Sequence, residues 1–205
     1  MSHYFENDQN LKSQLKKTSY SIFNKQFTFY TDNGVFAKKG VDYGSKLLLE
    51  SIKDEDYSSI LDVGCGYGTL GIILNKKYNC YTTMFDVNKR ALHLTKKNIM
   101  ENKCDNVEVF ESDAYQNVDK KYDLIVTNPP IHAGKKKVYE ILIDAKKYLN
   151  DNGKLYFVIH KDQGAKSVVK DLSNIYKIEV VKKDKGFFII LAENSWLVAK
   201  IVLII

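Results

Sequence analysis

From residue 59 onward, short apolar runs alternate with amphipathic stretches of ten to fifteen residues, and this rhythm constrains the fold more than any other feature of the chain. The runs occupy residues 60–63, 81–87, 107–110, 124–127, 155–159 and 178–181. Residues 89–100 and 138–149 read as helices between them. Near-continuous apolar strands separated by helices imply crossover units, hence a mainly parallel sheet covered on both faces. The rhythm breaks at the end. Residues 178–183, the turn Asp184-Lys185-Gly186 and residues 187–191 read as a hairpin, which adds an antiparallel edge. Before the alternation, residues 26–31 predict a strand, Asp32-Asn33-Gly34 a turn, and residues 43–52 a helix.

At 205 residues the chain has room for one ordinary domain. Its 44% hydrophobic and 27% charged content excludes disorder and fibrous classes. No apolar run reaches the ~20 residues needed to cross a bilayer, and residues 1–10 lack a signal-peptide core, so the expected location is the cytoplasm. The net charge of +6 suggests a polyanionic partner, although Arg90 is the only arginine and a lysine-rich codon usage accounts for part of the excess. Cys65, Cys80 and Cys104 form no Cys-x-x-Cys pair, and no metal is expected. His3, His93 and His160 show no ligand spacing and receive no role.

The chemistry begins at Leu61-Asp62-Val63-Gly64-Cys65-Gly66-Tyr67-Gly68-Thr69-Leu70-Gly71, which follows an apolar run and opens a helix. Glycines here let the backbone turn tightly and approach a ligand. Thr69 stands where a dinucleotide fingerprint has its third glycine, and no Gly-Lys-Ser/Thr follows. Asp86 ends the next run and can accept from both hydroxyls of a ribose. Asp113 follows the third run and can accept from an adenine amino group, while Asp62 can orient the loop and a ligand ammonium. Three carboxylates at successive strand ends favour an adenosine ligand. With a ribose feature and no pyrophosphate feature, S-adenosylmethionine fits better than NAD.

Pro129 and Pro130, the only prolines, follow the fourth run and Asn128. Proline fixes its own φ and biases its predecessor toward extended geometry, so Asn-Pro-Pro forms a stiff turn past a strand tip. An exocyclic base amine is a poor nucleophile because its lone pair is delocalised. Two acceptors, the Asn128 side-chain oxygen and the Pro129 carbonyl, can hold its N–H groups, aim the lone pair at a sulfonium methyl and stabilise the growing charge.

These motifs together resemble the class I S-adenosylmethionine-dependent methyltransferases. More closely, Gly34-Val35-Phe36-Ala37-Lys38-Lys39-Gly40-Val41-Asp42-Tyr43-Gly44-Ser45 and Asn128-Pro129-Pro130-Ile131-His132-Ala133-Gly134-Lys135 resemble the small methyltransferase domain of the ribosomal RNA small subunit methyltransferase C group and its single-domain Gram-positive relatives. The resemblance implies a Rossmann-like α/β fold with a mainly parallel seven-stranded sheet and an antiparallel C-terminal hairpin strand. It implies an N-terminal extension over residues 1–40 and a methyltransferase domain over 41–191, while the apolar tail over 192–205 departs from the family and is expected to have no catalytic part. Asp62, Gly64, Cys65, Gly66, Gly68, Asp86, Val87, Asp113, Ala114 and Asn128 become the expected cofactor contacts. Asn128, Pro129 and Pro130 become the catalytic turn, and Phe36, Ile131, His132 and Lys135 the substrate contacts.

Ile131 stands where many amine methyltransferases place a stacking aromatic, so either a base stacks on Phe36 instead or Phe36 packs in the core. His132 replaces an arginine common in relatives, and Lys135, Lys136 and Lys137 are phosphate contacts or a solvated helix start. The implied reaction is methylation of guanine N2 in small-subunit ribosomal RNA, with the RNA or the small ribosomal subunit as partner and a monomeric enzyme. Adenine-N6 or protein-glutamine methylation, or an inactive RNA-binding assembly factor, are the alternatives.

Overall fold

The computed structural model describes residues 12–194, so residues 195–205 of the apolar tail, and His3, lie outside the described residues. A hairpin comes first, β1 (Lys16–Ile22) and β2 (Lys25–Thr31), followed by α1 (Tyr43–Ser51). The alternating region then gives β3 (Ser59–Val63), α2 (Thr69–Tyr78), β4 (Tyr81–Asp86), α3 (Lys89–Glu101), β5 (Val107–Glu111) and β6 (Tyr122–Thr127). After these come α4 (Lys135–Asp144), β7 (Leu149–His160), α5 (Ala165–Leu172), β8 (Lys177–Asp184) and β9 (Phe187–Glu193). The large sheet has seven strands in the order β5-β4-β3-β6-β7-β9-β8. β5 to β7 are all parallel, and β9 runs antiparallel to both of its neighbours. The antiparallel strand is therefore not the edge: β9 inserts between β7 and β8, and β8 forms the edge.

Because successive side chains on a strand point to opposite faces, each central strand feeds two cores. Ile60, Leu124, Val126, Tyr156, Val158, Ile189 and Leu191 pack on one face with α1, α2, α3 and the hairpin. Leu61, Val63, Ile125, Leu155, Phe157, Ile159 and Ile190 pack on the other with α4 and α5. The helix read over 138–149 is shorter than expected. It ends at Asp144, a 3-10 turn over Ala145–Tyr148 follows, and β7 begins at Leu149. This strand starts irregularly: Asn152 has φ 62°, the pairing with β6 shifts register between Tyr122 and Leu124, and Gly153 leaves no room for a Cβ beside the Asn150 and Tyr122 carbonyls.

β1 alternates weakly, with Thr18, Tyr20 and Ile22 turned inward and Ser19 and Ser21 outward, and it is a strand that the apolar runs do not predict. It pairs with β2 across a two-residue turn in which Phe23 and Asn24 have φ of 53° and 57°, the primed geometry that matches strand twist. The other edge of β2 is closed by side chains. Asn98 of α3 accepts from the Tyr30 amide (2.7 Å) and donates to its carbonyl (3.1 Å), and Asn102 does the same for Thr28 at 3.0 and 2.8 Å. Two asparagines one helical turn apart thus stand in for a neighbouring strand. Phe27 and Phe29 bury beneath them in the same core as α2.

Candidate active site

A cleft of about 400 Å³ opens at the carboxyl ends of β3, β4, β5, β6 and β7, across the point where the strand order reverses on either side of β3. Most of the expected residues converge there. The glycine loop forms its floor: the Gly64 and Gly66 backbones have φ of 68° and 56°, and a Cβ on either would meet nothing within 4 Å. Gly68, expected to contact a cofactor, is not among the residues that line the cleft. It caps α2 at φ 93°, and a Cβ there would lie 2.9 Å from Ile72 and Thr95. Gly68 and Gly71 are packing glycines. At Gly71 a Cβ would overlap the Met84 sulfur at 2.3 Å.

Asp62 is almost wholly buried (1% exposed). Its Oδ2 accepts from the Gly71 amide at 2.8 Å, whereas Oδ1 is buried with no hydrogen-bond partner among the described residues. Burial, with the nearby Asp86 charge adding to it, raises its pKa to about 7. A buried carboxyl with one orphaned oxygen, lining the cleft, suits a cationic ligand group. Asp86 is also raised by burial, and its two oxygens accept from the Asn88 and Gly66 amides, each at 2.8 Å. Burial pushes the Cys65 thiol well above its usual range, and the residue lines the cleft.

Val87 and Ala114 contribute apolar wall, Ala114 with φ 48°. Asp113 lines the cleft and is held by Lys137 at 2.9 Å; Lys137 also pairs with Glu140 at 2.9 Å. Lys135 is not part of the lining. It sits exposed, its Nζ 5.1 Å above the Tyr139 ring, while Ile131 and His132 do reach the cleft. Phe36 is 47% exposed at the cleft, so it is no core residue. Its segment is pinned from below: Asn88 Nδ2 donates to the Gly34 carbonyl (3.0 Å) and Arg90 to the Asn33 carbonyl (3.0 Å).

Asn128, Pro129 and Pro130 lie together beyond β6. Asn128 Nδ2 donates to Asp42 Oδ1 at 3.2 Å and to Ser45 Oγ at 3.1 Å. A carboxylate can only accept, so this contact fixes which amide atom is nitrogen. Asp42, Tyr43 and Ser45 were missed as site residues, although they sit inside a segment that carried the family resemblance. His160, assigned no role from sequence, ends β7 on the cleft wall, edge-on to Phe187 at 4.9 Å. Its position at the end of an apolar run was the available signal.

The methyltransferase small domain matches residues 26–191, most of the chain. The chain belongs to the methyltransferase small-domain family. YbxB of Bacillus subtilis, an uncharacterized protein, is 42% identical over 197 residues, covering 94% of this chain and 98% of its own length. Ribosomal RNA small subunit methyltransferase C of Haemophilus influenzae is 33% identical over 159 residues, covering 75% of this chain. This chain spans about half of that relative, 48% of its length. Among solved structures, the Thermus thermophilus 16S rRNA N2 G1207 methyltransferase in complex with AdoMet and guanosine shares the fold. Its TM-score is 0.77 at 22% identity, over 90% of this chain and 52% of the other. As a small-domain methyltransferase the protein has none of its described helices long and apolar enough to cross a membrane. Nor, among the described residues, do three or more His, Cys, Asp or Glu side chains group in a way that could hold a metal.

Proposed function

We propose that this small-domain methyltransferase uses S-adenosylmethionine to methylate an exocyclic base amine of ribosomal RNA, at guanine N2 in the small subunit. The observation that carries this reading is Asn128: with its amide nitrogen occupied by Asp42 and Ser45, its oxygen remains as an acceptor beside the cleft. The relatives' names support ribosomal RNA as the substrate, and the orphaned Asp62 oxygen supports a ligand that carries an ammonium.

When bound, S-adenosylmethionine supplies an electrophilic methyl on a sulfonium. The chain's own residues provide position and charge. Asp62 Oδ1 holds the ammonium, and Asp86 offers its remaining lone pairs to the ribose hydroxyls. Asp113 accepts from the adenine amine between the Val87 and Ala114 walls. Asn128 Oδ1 and the Pro129 carbonyl accept the two N–H groups of the target amine and turn its lone pair toward the methyl. The bound sulfonium would supply its methyl to the amine nitrogen and keep the electron pair of the broken sulfur–carbon bond, and water would take the proton that the cationic amine sheds. Fixing the reactants in line contributes ~7–11 kcal/mol in favourable cases, and no strong base is needed because the methylated amine is cationic and sheds its proton readily. Phe36 and Ile131 cover the base, and His132 reaches its surroundings.

The test is methyl transfer from labelled S-adenosylmethionine to small-subunit ribosomal RNA from cells lacking this protein, as naked RNA and as assembled subunit. N2-methylguanosine in the digest is the expected product. N6-methyladenosine, or label on protein, would overturn the guanine assignment, and a folded protein that binds no S-adenosylmethionine would overturn the enzyme reading.

A further inference from the structure

We infer that Asp42 is a positioning residue that makes Asn128 an acceptor and nothing else; the inference rests on the amine-clamp reading above. Asparagine is ambiguous by nature. Rotating its amide by 180° exchanges a two-donor nitrogen for an acceptor oxygen of nearly the same shape. With the nitrogen turned to the cleft, Asn128 would set its N–H groups against those of a base amine.

Asp42 removes the ambiguity. It is the N-cap of α1, with extended φ and ψ of −73° and 161°, and its Oδ1 accepts both from the Ser45 amide at 3.1 Å and from Asn128 Nδ2 at 3.2 Å. Ser45 Oγ, one turn into α1, takes the second N–H of the same amide at 3.1 Å. A flipped amide would bring the Asn128 oxygen against the Asp42 carboxylate, two acceptors with no proton between them. The carboxylate also polarises the amide it accepts from, which leaves more negative charge on the opposite oxygen, where the target nitrogen becomes cationic. The clamp on β6 is thereby set by a helix cap 86 residues earlier in the chain.

Capping and positioning separate by side-chain length. Serine caps a helix about as well as aspartate, but its shorter side chain does not reach Asn128. Asp42→Ser should therefore keep the melting temperature, and keep the affinity for S-adenosylmethionine and the KM for small-subunit ribosomal RNA within about twofold, while the single-turnover rate falls ~10- to 100-fold. Asp42→Asn, which retains an acceptor at the same reach, should restore the rate to within about fivefold of the native protein. Ser45→Ala should slow transfer several-fold by removing the second acceptor, and it keeps the question open to measurement if Asp42→Ser fails to fold. In an Asn128→Ala background, Asp42→Ser should cost nothing further.

Folded Asp42→Ser or Ser45→Ala at the native rate, or an Asp42→Ser loss that persists undiminished in the Asn128→Ala background, would overturn the inference. If Asn128→Ala itself turns over normally, it is the amine clamp that fails. If Asn128→Ala is slow while Asp42→Ser is not, only the role of Asp42 fails.

Discussion

The Asp86 carboxylate accepts from the Gly66 amide at 2.8 Å, so the strand tip that faces a ligand also holds the glycine loop in shape. Asp86→Ala should raise the dissociation constant for S-adenosylmethionine by about tenfold to a hundredfold, the equivalent of ~1.5–3 kcal/mol for bonds to a charged acceptor. RNA affinity should change little. Calorimetry on folded mutant with unchanged cofactor affinity would remove Asp86 from the site.

Asn128→Ala should leave S-adenosylmethionine affinity nearly intact and slow methyl transfer by ~10²–10³, the usual cost of one preorganised electrostatic contact. Asn128→Asp keeps an acceptor but brings a second carboxylate against Asp42, so it should lose stability as well as rate. Single-turnover kinetics beside thermal melts separate the two effects.

Asp62 makes binding depend on pH. Burial raises its folded pKa to about 7, above the unfolded value of about 3.9, so its ionised form opposes folding. The empty protein is undiminished below the unfolded pKa and loses stability as the pH rises toward the folded one. A ligand ammonium beside Oδ1 favours the ionised form and expels the proton. Affinity for S-adenosylhomocysteine, which carries the same ammonium, should therefore rise between about pH 5 and 7, by up to tenfold per unit, and then level. Proton release seen by calorimetry in two buffers should accompany it. Asp62→Asn should abolish both, and a flat profile in the native protein would contradict the assignment.

The glycines should divide by the side they face. Gly71→Ala drives a methyl into Met84 and should cost ~1–3 kcal/mol in urea unfolding, by overpacking. Gly64→Ala meets no neighbour, only a φ of 68°, and should weaken cofactor binding more than it lowers stability. Equal effects from the two would remove the distinction.

Much of this was legible because burial writes itself into strands. A parallel strand covered on both faces is an uninterrupted apolar run, and the tips of such runs located Asp62, Asp86, Asp113 and Asn128. What stayed hidden depends on pairing across the chain. β1 has only Tyr20 and Ile22 as apolar residues and pairs, among the described residues, with β2 alone, and the edge closure by Asn98 and Asn102 looks like ordinary helix surface until the hairpin docks. Asp42 resembles any helix cap. Gly68 carries the spacing of a ligand-facing glycine, yet its direction is set by Ile72 and Thr95. His160 and Phe187 meet only because β9 returns beside β7.

The placement of β9 also sets an order of events during synthesis. Among the described residues β8 has no neighbour in the sheet other than β9, and β7 has β9 on its outer side, so the last of the described strands to leave the ribosome is the one that joins them. Until it arrives, β7 presents a bare edge and β8 has nothing to pair with. The outer wall of the cleft, with Phe187 against His160, is absent over the same interval. The glycine loop and the Asn-Pro-Pro turn lie on strands made earlier, so the cleft gains this wall last among its described parts.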